Sequence, residues 1–106
     1  MVKLVVTDKD GRDVVVDARA GLSVMENIRH LPRSVEAVCG GLCSCATCHV
    51  WLDEESMRRV PPRRYEERAM LVTSRSFDPQ RSRLSCQIKV TAELDGLELT
   101  VAPDDP

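Results

Sequence analysis

Residues 39–49 read CGGLCSCATCH, which places four cysteines, two glycines and a histidine in eleven consecutive positions. Thiols at this density beside glycines are hard to explain as packing, so the first question is which inorganic centre they hold. Cys45–His49 spells CATCH, the CxxCH attachment motif of a c-type haem. That reading takes His49 as one axial ligand and Met57 or Met70 as the other, and it leaves Cys39, Cys43 and Cys86 without a role. A structural zinc site needs four ligands, usually in two pairs, and only Cys45 and Cys48 form such a pair. A redox dithiol places its CxxC where a strand runs into a helix, whereas CATC runs into the strand-like HVWL of residues 49–52. The fourth reading joins Cys39, Cys45 and Cys48 to the distant Cys86, as C-x5-C-x2-C-x37-C. A 2Fe-2S core takes four thiolates, two per iron. With them it is a dianion when oxidised and a trianion when reduced. Such an anion needs backbone N–H groups around it, and Gly40 and Gly41 allow the main chain to come close.

Outward from the loop, the composition bounds the rest. The 106 residues are expected to form one domain, residues 1–106. Trp51, Tyr65 and Phe77 are the only aromatics, so the core must be aliphatic. A net charge of −2 gives no electrostatic support to a nucleic-acid partner. No run approaches the ~18 apolar residues of a membrane span. The opening MVKLVVTDKDG lacks the apolar run and cleavage site of a secretory leader. With an odd number of cysteines as well, the expected setting is the reducing cytoplasm. Charge is unevenly distributed. Residues 58–83 hold eight arginines against Glu66, Glu67 and Asp78, a local net charge of +5 that leaves −7 for the remainder.

The pattern along the chain is strand-rich. VKLVVT (2–7) and DVVVD (13–17) flank an Asp-Gly turn at 10–11 and predict a hairpin. Ser23 and Glu26 have capping-box spacing and predict a helix from there to about His30, stopped by Pro32. Strand-like HVWL follows the loop, then a turn or short helix at 53–56. Beyond Pro61-Pro62 a helix is expected over about 63–74, with Met70 and Leu71 turned inward. LSCQIKV (84–90) alternates like a strand, and Asp95-Gly96 leads into LELTVA. A hairpin, a helix and further strands without βαβ regularity describe an α+β domain. His30, at a helix end, reads as a surface residue.

With CGGLCSCATCHVWLDEE, VPPRRYEERAML and SRLSCQIKVTAELDGLELTV at these separations, the chain resembles the adrenodoxin- and putidaredoxin-type 2Fe-2S ferredoxins over essentially its whole length. The resemblance implies a β-grasp, ubiquitin-like fold: a mixed sheet, one main packed helix and a cluster-binding loop. It implies a 2Fe-2S cluster on Cys39, Cys45, Cys48 and Cys86, with Cys43 a small loop residue. His49 would be an orienting hydrogen-bond residue and not a ligand. It implies a soluble, monomeric one-electron carrier and no enzyme. Electrons would pass from an FAD-containing, NAD(P)H-dependent ferredoxin reductase to a cytochrome P-450 type monooxygenase. Service to iron–sulfur cluster assembly, or to a Rieske-type oxygenase, is the alternative. Val38, Leu42, Ser44, Glu66, Glu67 and Val72 are the expected partner contacts. Here the sequence departs from the family pattern, because Arg63, Arg64, Arg68 and Arg75 surround Glu66 and Glu67 where the family commonly presents acidic residues. A helical i, i+4 salt bridge involving Glu67 is the simplest use of those charges.

Overall fold

The computed structural model describes residues 2–31, 48–74 and 76–102. Its strands are β1 (Val2–Thr7), β2 (Asp13–Ala18), β3 (His49–Leu52), β4 (Ser82–Leu84) and β5 (Leu97–Val101). They form one mixed sheet in the order β2-β1-β5-β3-β4. β1 and β2 pair antiparallel from Val2 opposite Ala18 to Thr7 opposite Asp13. The turn between them is closed by Asp8, whose Oδ1 accepts the N–H groups of Asp10 and Arg12. Gly11 there adopts φ +84°, a left-handed conformation that favours glycine.

β5 lies beside β1 in parallel and beside β3 antiparallel, so it is the central strand. The turn before it is tied to β1: Asp95 Oδ1 accepts the Lys3 N–H at 2.8 Å, and Gly96 N–H donates to the Lys3 carbonyl. Period-two burial makes β1 and β5 amphipathic, and Val2, Leu4, Val6, Leu97, Leu99 and Val101 go into an aliphatic core.

Against this face packs α1 (Val24–Ile28), with the predicted capping box present in full: Ser23 accepts from the Glu26 N–H and Glu26 accepts from the Ser23 N–H. Val24, Met25, Asn27 and Ile28 are buried. Asn27 is satisfied there by the Arg19 N–H and the carbonyls of Arg19 and Ser23. α2 (Glu54–Arg58) is capped by Asp53, whose carboxyl is held below its ordinary value, chiefly by the Ser56 backbone N–H it accepts. α3 (Tyr65–Leu71) is shorter than the predicted 63–74, and Leu71 is buried in the core as expected.

One predicted strand is not continuous. Instead of running from 84 to 90, β4 ends at Leu84 and a 3₁₀ turn takes Ser85–Gln87. The next residues then pair with a different partner, the segment that leads into α1. Val24 N–H donates to the Ile88 carbonyl and Val90 N–H to the Leu22 carbonyl. Alternation survives the turn because Ile88 and Val90 are still buried, and for that reason the sequence pattern does not reveal the break.

Candidate functional site

Two of the predicted thiols are described, and the fold brings both to one corner of the sheet. Cys48 directly precedes β3 and is fully buried. Cys86 is the middle residue of the 3₁₀ turn after β4 and is half-buried. The ladder puts His49 opposite Leu84, so Cys48 and Ser85 meet just beyond it. Ser85 closes that end twice, since its N–H and its hydroxyl both donate to the Cys48 carbonyl at 2.9 Å. The turn then lifts Cys86 out of the sheet, where Gln87 Nε2 donates to its Sγ at 3.4 Å. Cys39 and Cys45, with Cys43, Val38, Leu42 and Ser44, lie outside the described residues.

His49 follows Cys48 and is itself buried. Its Nε2 is 2.7 Å from Ser82 Oγ and its Nδ1 is 3.3 Å from Ser74 Oγ. Ser82 Oγ also accepts the Asp78 N–H, and the His49 carbonyl accepts the Ala102 N–H. Both ring nitrogens are thus engaged within the body of the domain, which fixes the chain direction as it leaves Cys48.

Behind Cys86 lies a buried ion pair. Arg83 Nε donates to Glu67 Oε2 at 2.7 Å and Arg83 Nη2 to Oε1 at 3.2 Å, with side chains 2% and 3% exposed. Arg83 Nη1 reaches the Pro61 carbonyl. Glu67 Oε2 also accepts the Leu84 N–H at 2.8 Å. One carboxylate therefore joins α3 to the main chain two residues before Cys86. This corrects two expectations about Glu67. It is no surface carboxylate presented to a partner, and its salt bridge runs across the structure to Arg83 and not along the helix. The helical period explains it: residues 67 and 71 share a face, and Leu71 anchors that face in the core. Glu66 is exposed on α3 and Val72 at its C-cap.

The charged 58–83 segment is also less free than its composition implies. Arg59 donates to the carbonyls of Glu93 and Asp95. Arg63 donates to those of Pro79 and Ser82 and stands over Phe77. Arg81 covers Trp51 at 5.1 Å. These cations fasten loops through carbonyl and aromatic contacts.

Sequence reasoning passed over Ser74, Ser82, Ser85, Arg83 and Gln87. The signal available for Ser85 and Gln87 was their position on either side of Cys86. For Ser74 and Ser82 there was none, since each meets His49 only through long-range packing.

The chemistry of the described pair suits thiolate ligation of iron: two cysteines at one corner of the sheet, one buried and one half-buried, with an amide N–H donated to the sulfur of the outer one. Such donors stabilise an anionic sulfur. Comparison with known proteins agrees. Residues 7–91 match the family model described as the 2Fe-2S iron–sulfur cluster binding domain. Ferredoxin CarAc of Sphingomonas sp. is 40% identical over 99 residues, covering 92% of this chain and 90% of that protein. The crystal structure of a ferredoxin from Rhodopseudomonas palustris HaA2 superposes with a TM-score of 0.88 at 39% identity, covering 98% of this chain and 99% of the other. Putidaredoxin, in its covalent complex with putidaredoxin reductase, gives 0.79 at 35% identity over 96% and 99%. Fold and site together define a small iron–sulfur electron-transfer protein, not an enzyme. The chain belongs to the 2Fe-2S iron–sulfur cluster binding domain family, and within it to the putidaredoxin- and adrenodoxin-type ferredoxins. Among the described residues, no helix is long and apolar enough to cross a membrane.

Proposed function

We propose that this ferredoxin carries single electrons from an FAD-containing, NAD(P)H-dependent reductase to a cytochrome P-450 type monooxygenase, with Cys39, Cys45, Cys48 and Cys86 as its cluster ligands. The observation that carries the ligand assignment is the Ser85 clamp, which sets Cys86 beside Cys48 across a long sequence gap. When bound, a 2Fe-2S cluster supplies one-electron redox chemistry. The protein's own residues do the rest. Cys48 anchors the inner side, and His49 with Ser82 and Ser74 keeps it in register. Cys86 stands half-exposed, so an approaching partner comes near the redox centre. Gln87 offers its amide to the outer sulfur.

The reductase reading draws support from putidaredoxin, which forms a complex with its own reductase. The x37 gap favours a monooxygenase acceptor over cluster assembly. The carrier acts as a cytoplasmic monomer. Val38, Leu42, Ser44, Glu66 and Val72 are the proposed partner contacts, while Glu67 is buried and supports α3 from within.

The test is direct. Purified protein should contain two irons and two sulfides per chain and show broad visible bands that bleach on uptake of one electron. Cys86→Ser should lose that spectrum; an unaltered spectrum would refute the ligand set. Turnover of a P-450 monooxygenase with NAD(P)H and a ferredoxin reductase should depend on added ferredoxin. Turnover that proceeds equally without it removes the acceptor assignment.

A further inference from the structure

The outward face of α3 is unusual for an exposed helix. Tyr65 is 83% exposed and Val72, at the C-cap, is 50% exposed. With Ala69 they make a stripe at i, i+4, i+7, opposite the buried Glu67 and Leu71. A tyrosine ring left in water while the rest of its helix is anchored is the kind of group that interfaces use as an anchor. At 100° per residue, Arg64 and Arg68 fall on one flank of this stripe and the exposed Glu66 on the other. Arg64 and Arg68 are exposed, and neither forms an ion pair with a described carboxylate.

Next to the helix a depression of about 480 Å³ opens, lined in part by Arg64, Lys89, Cys86 and Gln87. Its two carboxylates are already engaged. Glu67 is matched by Arg83, and Glu26 accepts the Ser23 N–H in the capping box. Among the described residues lining it, the cations Arg64, Arg83 and Lys89 thus exceed the carboxylates Glu26 and Glu67 by one charge, beside the proposed outer ligand and on a chain of net charge −2.

We infer that this face receives an acidic segment of the redox partner, with partner carboxylates at Arg64, Arg68 and Lys89 and an apolar partner group against Tyr65 and Val72. The inference rests on the carrier reading above and specifies its partner: a surface rich in Asp and Glu. Opposite charges would steer encounter and set orientation, while the aromatic anchor slows release.

Tyr65 is the chain's single tyrosine, so holoprotein labelled with 3-fluorotyrosine gives one fluorine resonance. It is titrated with a Glu-Glu-Leu-Glu-Glu peptide, with its lysine counterpart, and with phosphatidylglycerol vesicles. The acidic peptide should move the resonance, and its effect should fade with added salt. The triple variant R64E/R68E/K89E should weaken the effect about tenfold, and Val72→Ala should weaken it less. No response to the acidic peptide, an equal response to the lysine peptide, or a response to vesicles alone would overturn the inference. The visible spectrum of each variant separates the two ideas. An intact, reducible cluster with no peptide response defeats the docking surface and leaves the carrier reading standing.

Discussion

The two ends of the sheet are built on different physics. The β2-β1-β5 side buries Val2, Leu4, Val6, Val16, Ala18, Leu97 and Leu99, all aliphatic. Its hairpin is closed by contacts a few residues apart. The β3-β4 corner buries Val50, Leu52 and Leu84 too, but adds a polar set, His49, Glu67, Ser74, Ser82, Arg83 and Ser85, drawn from separate segments. Apolar burial is non-directional and supplies most of the favourable free energy. A buried polar lattice has to recover its desolvation cost and gains little net stability, but its hydrogen bonds admit one geometry. The corner that carries two proposed ligands is thus specified by direction, and the remainder of the sheet by area.

That contrast can be broken by substitution. Glu67→Ala leaves the Arg83 guanidinium buried without its partner and should cost about 3–5 kcal/mol in denaturant unfolding. The double variant Glu67→Leu/Arg83→Met should recover most of that loss yet hold its cluster less well, seen as faster bleaching of the visible bands. Full stability with full cluster retention would make the ion pair dispensable. Leu97→Ala, on the aliphatic side, should cost about 2–5 kcal/mol through its cavity and leave the visible spectrum of the folded protein unchanged. Ser82→Ala deprives the Asp78 N–H and His49 Nε2 of a partner and should cost about 1–3 kcal/mol, with a spectral change that Leu97→Ala does not produce. Smallest is Asp53→Ala, about 1 kcal/mol for the lost N-cap. Because folding lowers the Asp53 pKa, its contribution is present above the ordinary value of 3.8 and is lost as pH falls through the folded value. Wild type should therefore lose its advantage over Asp53→Ala in acid unfolding curves.

The same contrast decides what the sequence made legible. The hairpin, the Ser23–Glu26 cap and the strands at 49–52 and 97–101 rest on local rules of turn chemistry, capping and alternation, and they are found where those rules put them. The turn at 85–87 escaped because it exists through Ser85 reaching back to Cys48, a contact that no short window contains. Glu67 escaped because a carboxylate among arginines reads as surface. Its burial follows only from knowing that Arg83 lies beneath α3. The cysteine spacing pointed to Cys48 and Cys86 as partners, whereas the serines that hold their neighbourhood carry no signature of their own.

The middle strand of the sheet is the last in sequence of the five described strands. β5 separates β1 from β3 and pairs with both, so a growing chain has two half-sheets with no common edge until residues 97–101 leave the ribosome. All five cysteines have emerged by then. Iron delivered earlier would meet a corner whose backing strand is missing, and the open edges of β1 and β3 would invite pairing with other chains. Maturation of this ferredoxin should accordingly follow emergence of residues 97–101, and a chain stopped after Gly96 should aggregate instead of accumulating as a colourless folded intermediate.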